Sequence, residues 1–286
     1  MDPVDPGANR PFRWDLVTPD QLGSLLDGAT EPDLWFLDEL VVCASRVLGR
    51  CGGGQLHFVG RSADSVFDLL SGALAATSWA GRLHRLPFSF RGDTAGLSSF
   101  EISRARANFA TSGLDPTSLA HSRGPVAFVD LVAAGFTFAN LYRLLRPWVE
   151  QERAQWDVIR RKLRFVGITI RGETSPKTWR WHQHSTWTRD LPASAVCNVS
   201  LDEMVWCYFG NSQTKLTRSF GPSLWTGIEA DPPRHNDLTR DAVAEAVALV
   251  AYGRTAAARA ALVRAMAAEP AFRQTWLRDL AIEMRR

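Results

Sequence analysis

The run Gly124-Pro125-Val126-Ala127-Phe128-Val129-Asp130-Leu131-Val132-Ala133-Ala134-Gly135-Phe136-Thr137-Phe138-Ala139-Asn140-Leu141 decides the reading of this chain. A turn signal opens it and a short apolar block, Val126 to Val129, follows. Asp130 ends the block, and a loop of small residues (Ala133, Ala134, Gly135) leads to Thr137. From Phe138 the apolar spacing becomes helical through Leu141, Tyr142 and Leu145. A buried strand, a tight loop and a helix N-terminus together make a phosphate site. An acid at the carboxyl end of such a strand lies where open α/β sheets bind ligands. Backbone N–H groups of Ala133, Ala134, Gly135, Phe136 and Thr137, with the Thr137 hydroxyl, are expected to meet a phosphate monoester. Asp130 is expected to accept hydrogen bonds from the hydroxyls of an attached sugar.

The flanking chain repeats the same grammar. Asp33 to Leu48 reads as a helix capped by Asp33 and stopped by Gly52-Gly53-Gly54. Gln55 to Val59 reads as a strand, Gly60 to Ser65 as a loop, and Val66, Leu69, Leu70, Ala73 and Leu74 as one buried helix face. Leu83 to Phe90 alternates as a second strand, Ser99 to Ala110 is helical, and Leu163 to Ile170 is a β-branched strand. Strands alternating with helices predict an α/β fold, a parallel sheet with flanking helices. Three regions are expected: an arm over residues 1–30 with a short helix near Pro19 to Leu26, an α/β domain over 31–235, and an alanine-rich helical extension over 236–286. Trp179, Trp181, Trp187, Trp206 and Trp225 lie in an aromatic-rich stretch where only Val196 to Val199 and Val205 to Phe209 resemble core segments.

Composition narrows the class. The 286 residues are 45% hydrophobic and 22% charged, ordinary for a globular protein. Charges interrupt every apolar run well before about 18 residues, so no membrane span is expected. Met1-Asp2-Pro3-Val4-Asp5-Pro6 is acidic and proline-rich, unlike a secretory signal, and a cytoplasmic setting is expected. Cys43, Cys51, Cys197 and Cys207 show no paired spacing and read as reduced thiols. Only Lys162, Lys177 and Lys215 among 33 basic residues are lysines, a bias that gene base composition produces as readily as function does. A net charge of +3 argues against nucleic acid as a partner. The oligomeric state is not encoded legibly, and a homodimer stays open.

On these residues the chain resembles the type I phosphoribosyltransferases over about residues 55–170. With Gly135 and Thr137 aligned on the family's phosphate loop, Asp130 falls on its second acid, and Leu131 and Val132 on its two aliphatics. The resemblance implies that Asp130 holds the ribose 2′ and 3′ hydroxyls. It also implies that the loop through Ala134, Gly135 and Thr137 holds the 5-phosphate of phosphoribosyl pyrophosphate. Phe58-Val59-Gly60-Arg61-Ser62 is similar to the family's pyrophosphate loop, which implies that Arg61 and Ser62 meet the leaving diphosphate, with Mg²⁺ as cofactor and Asp130 touching the metal through ribose or water. Residues 91–123 stand where the family has a mobile catalytic loop, with Arg91, Arg104, Arg106 and Arg123 as candidates to close over the diphosphate. Two positions depart from the pattern: Val129 replaces the first acid, and Ala133 replaces the residue that in some members acts on a purine ring.

The implied function is transfer of ribose 5-phosphate to a nucleophile. The alternative is a regulatory protein that binds the sugar phosphate without turnover and meets a partner through its C-terminal helices. A serine hydrolase using Ser62, with His235 and Asp190 or Asp202 as partners, ranks lower because Asp64 stands where a nucleophile elbow needs its second glycine. Ser62 and Ser65 could instead cap the following helix. Trp179 to His184 reads as an edge strand with buried indoles, ahead of a metal site at His182 and His184 or a base-stacking surface. The same aromatics are candidates to wall an acceptor pocket.

Overall fold

A computed structural model describes residues 10–18, 22–174, 180–227 and 235–286. Five strands form one all-parallel sheet: β1 (Gln55–Val59), β2 (Leu83–Leu86), β3 (Val126–Leu131), β4 (Leu163–Ile170) and β5 (Val196–Leu201), in the order β2-β1-β3-β4-β5. Every residue of β3 is buried. That is why its run is apolar but for Asp130: a central parallel strand has helices over both faces.

Alternation along β3 assigns its side chains. Ala127, Val129 and Leu131 enter one core, and Val126 and Phe128 enter the other. The first core lies under α1 (Leu37–Arg50), α2 (Asp64–Leu74) and the C-terminal helices α9 (Asp237–Arg254), α10 (Ala256–Met266) and α11 (Thr275–Met284). The second lies under α3 (Ser99–Ala110), α4 (Pro116–His121), α5 (Phe136–Gln151) and α6 (Trp156–Lys162). Two short helices, α7 (Glu203–Cys207) and α8 (Pro222–Trp225), sit between β5 and α9 in the chain.

The chain therefore winds from β1 through α2 to the edge strand β2, then returns over the opposite face to β3. Neighbouring β1 and β3 send their connections to opposite faces, which opens a crevice beyond their carboxyl ends. Both stretches singled out for phosphate binding begin there.

Several local expectations are corrected. The first helix starts at Leu37, not Asp33, and carries no side-chain cap. β2 stops at Leu86 because Pro87 has no N–H for a ladder. Residues 22–28 form successive turns rather than a helix, and Pro19 to Gln21 lie outside the described residues. Trp181–His184 is a single tight 3-10 turn, not an edge strand, and Trp179 lies outside the described residues. Val205 and Phe209 are core residues as expected, carried by α7 and the turn after it. Among the described residues, no single helix is long and apolar enough to cross a membrane.

The arm and the C-terminal helices are built into the body. Trp14, Leu16 and Leu22 pack on Val243, Ala246 and Val250 of α9. Arg13 is inserted between two acids of α2, Asp64 (3.1 Å) and Asp68. Leu262, Met266, Leu277, Leu280 and Met284 fill the core shared with α1 and α2.

Candidate functional site

Ser62 follows β1 and Asp130 is the penultimate residue of β3, so the register that pairs Phe58 with Val129 brings these two side chains together. Ser62 Oγ donates to Asp130 Oδ1 at 2.6 Å. The Thr137 hydroxyl, from the first turn of α5, bonds the same carboxyl. Ser62 does not cap α2, whose N-cap is Ala63 with no side-chain bond. Desolvation pushes the buried Asp130 carboxyl up to about 7, against the bonds from Ser62, the Leu131 N–H and Thr137 and the pull of Arg91.

These groups floor a polar cavity of about 460 Å³ whose walls include Arg61, Arg91, Asn211, Gln213 and Lys215. Arg61 Nη1 donates to the Thr217 carbonyl at 2.6 Å, which holds its guanidinium at the rim. Lys215 is pushed down to about 8, chiefly by burial and also by Arg61, with Asp64 and Glu245 opposing. Arg91 leaves the end of the β2 connection, and Asn140 of α5 steadies it. The Asn140 amide donates to the carbonyls of Phe90 (3.0 Å) and Gly92 (2.9 Å). Asn140→Ala strips both carbonyls of their donor and is expected to cost about 1–3 kcal/mol in urea unfolding. A loss below about 0.3 kcal/mol, inside the noise of such measurements, would mean that the loop is held by other contacts.

The expected phosphate loop is only partly in this cavity. Thr137 lines it, whereas Ala133, Ala134, Gly135 and Phe136 do not. Ala133, Ala134 and Phe136 are exposed beside it, and Gly135 is buried. Gly135 has φ +79°, and the Trp181 ring occupies the space its Cβ would need. Trp181 is fixed by its indole N–H on Asn198 Oδ1 at 2.8 Å. α5 begins without a side-chain cap, so its N-terminal amides keep the capacity to meet an anion.

Other candidates are placed elsewhere. Arg104 donates to the Trp225 carbonyl, and Arg106 bonds Gln151 and lies over Trp148. Segment 91–123 is thus mostly structured by α3, with a full capping box between Ser98 and Glu101, and by α4, leaving Arg91 as its contribution to the cavity. Trp181, Trp187 and Trp225 are core residues and do not line the cavity beside Asp130. His182 Nδ1 is bonded to the Asn198 amide, and no group of three His, Cys, Asp or Glu side chains gathers around it among the described residues. The hydrolase partners are dispersed. His235 packs its edge against Trp14, Asp190 binds Tyr142 and Arg146, and Asp202 caps α7.

Sequence reasoning missed the segment 208–219 as a site element. The available signal was Lys215, one of three lysines in the chain, set in the polar run Asn211 to Thr217. It also missed the buried pairing of Arg13 and Arg85 with Asp64 and Asp68, although two acids four residues apart on an otherwise apolar helix face demand buried cations.

A magnesium ion draws on oxygen ligands, commonly one or two carboxylates beside ligand phosphates. This cavity offers one carboxyl, Asp130, already bonded by Ser62 and Thr137. Three cationic side chains share its walls, and no group of three His, Cys, Asp or Glu side chains is arranged for a metal among the described residues. These residues do not fit a protein-held Mg²⁺. No protein-family model, characterised protein or solved structure matches the chain.

Proposed function

We propose that this protein binds phosphoribosyl pyrophosphate in the crevice beyond β1 and β3 and transfers its ribose 5-phosphate to a nucleophile. One observation carries the reading: Ser62 and Asp130, from the two strands flanking the switch point, are bonded at the floor of a cavity walled by Arg61, Arg91 and Lys215. A ligand with sugar hydroxyls at one end and phosphates at the other matches that division of acid and base. Asp130 would accept from ribose hydroxyls, displacing Ser62, and the start of α5 with Thr137 would take the 5-phosphate. Displacement at C1 forms the bond to the nucleophile as the bond to diphosphate breaks, so the main demand is charge stabilisation on the leaving group. Arg61, Arg91 and Lys215 supply it.

A binding-only role is favoured by Val129, wholly buried where the family has an acid, and by Ala133 at the loop. Calorimetry with phosphoribosyl pyrophosphate is expected to show saturable one-to-one binding, weakened about tenfold by Thr137→Val, which removes a donor to the 5-phosphate. No heat at millimolar ligand would end the sugar-phosphate reading. Slow pyrophosphate release in the presence of a nucleophile would separate transfer from binding alone.

A further inference from the structure

We infer that Arg61, Arg91 and Lys215 form a three-cation site that holds the ligand's diphosphate without a divalent metal ion. This rests on the sugar-phosphate reading of the cavity. The three cations come from separate parts of the chain: the loop after β1, the connection after β2, and the segment after α7. They therefore converge on one volume from three sides instead of lying along one exposed helix.

Two of the three are held in place before any ligand arrives. Arg61 is tied to the Thr217 carbonyl, which fixes its guanidinium at the cavity wall, where a planar fork suits phosphate oxygens. Lys215 Nζ donates to Gln213 Oε1, and the Gln213 amide in turn donates to Ser65 Oγ and Glu245. Lys215 is thus positioned from α2 and α9 together. Arg91 is exposed and sits on the loop steadied by Asn140, free to close over a bound group. Pre-positioned cations in a partly desolvated cavity bind phosphate oxygens without the cost of ordering them.

The acid side argues the same way. A metal-bridged diphosphate would place a divalent cation among three positive side chains with only Asp130, already bonded by Ser62 and Thr137, to receive it. The charged groups acting on Lys215 are Asp64, Arg61, Glu245 and Arg13, and its depressed protonation leaves it partly neutral near pH 8. An incoming diphosphate favours the ammonium form. Binding at pH 8 is therefore expected to take up a proton, read as a dependence of the calorimetric enthalpy on the buffer's ionisation enthalpy.

The test is calorimetry with phosphoribosyl pyrophosphate, and separately with inorganic pyrophosphate, in excess EDTA and again in excess MgCl₂. Affinity in EDTA is expected to equal or exceed that in MgCl₂. Arg91→Gln and Lys215→Met are each expected to weaken it about tenfold. Arg264→Gln, on the exposed side of α10, is expected to leave it unchanged. Arg91 is exposed, so its variant keeps the test valid even if Lys215→Met folds poorly. Binding of phosphoribosyl pyrophosphate only with Mg²⁺ would overturn this inference and leave the proposed function standing. Binding under neither condition would overturn both.

Discussion

Asp130→Asn is expected to make the protein more stable at pH 8 and a poorer binder. The native carboxyl titrates near 7 because burial opposes its charge, whereas the ordinary value is 3.8. Between those two pH values the native state holds a proton that the unfolded state has released. Stability from this group is therefore fully present below about 4, falls as pH rises, and levels off above about 7. The full excursion is roughly 4 kcal/mol for a shift of this size. Asparagine keeps an oxygen to accept from Ser62 and cannot ionise, so it escapes the penalty. The difference in unfolding free energy between variant and wild type should grow across that window, giving the variant a melting temperature several degrees higher at pH 8. Its affinity for phosphoribosyl pyrophosphate should fall about tenfold or more, because a neutral amide is a weaker acceptor for ribose hydroxyls. Equal stability curves with equal affinity would remove Asp130 from the site. The expected pattern is a stability–function trade: a buried acid retained at a cost that only the ligand relieves.

Gly72→Val is expected to be strongly damaging although it lies away from the cavity. α2 and α9 touch backbone to backbone: a Cβ on Gly72 would overlap the Val250 carbonyl, and one on Gly253 would overlap that of Leu69. Both neighbours are main-chain atoms, so the helices must separate to admit a side chain. Such overpacking costs about 3 kcal/mol or more. Separation would also shift the N-terminus of α2, and with it Arg61 and Ser62, so ligand affinity should drop in whatever fraction stays folded. Calorimetric melting of Gly72→Val beside Gly81→Ala makes the comparison, since Gly81 has open space around it. A Gly72→Val protein melting with the wild type would show that the helices are less closely packed than described.

The legible part of the fold was whatever local pattern determines. Val126 to Val129 reads as a buried strand because a central parallel strand has no polar face to show, and the strand runs two residues further, through Asp130 to Leu131. Ser99 to Ala110 has the bounds its periodicity implies, since Ser98 and Glu101 mark its start. Strand order was not legible: nothing in Leu83 to Leu86 says that it pairs outside β1, and that placement creates the switch point. The bond between Ser62 and Asp130 was hidden for the same reason, although each residue was singled out alone. Trp181 could not be read as the cover of Gly135, because an indole in a polar run carries no address. Arg13 belonged to a stretch of few apolar anchors, and its role appears only when Asp64 and Asp68 are found buried opposite it.

A crystal soaked with phosphoribosyl pyrophosphate is expected to show ligand density in the crevice beyond β1 and β3. The ribose should lie on Asp130, the 5-phosphate against Thr137 and the start of α5, and the diphosphate among Arg61, Arg91 and Lys215. Density in the separate cavity beneath the arm, between Trp14 and Phe67, with Ser62 still bonded to Asp130, would contradict it.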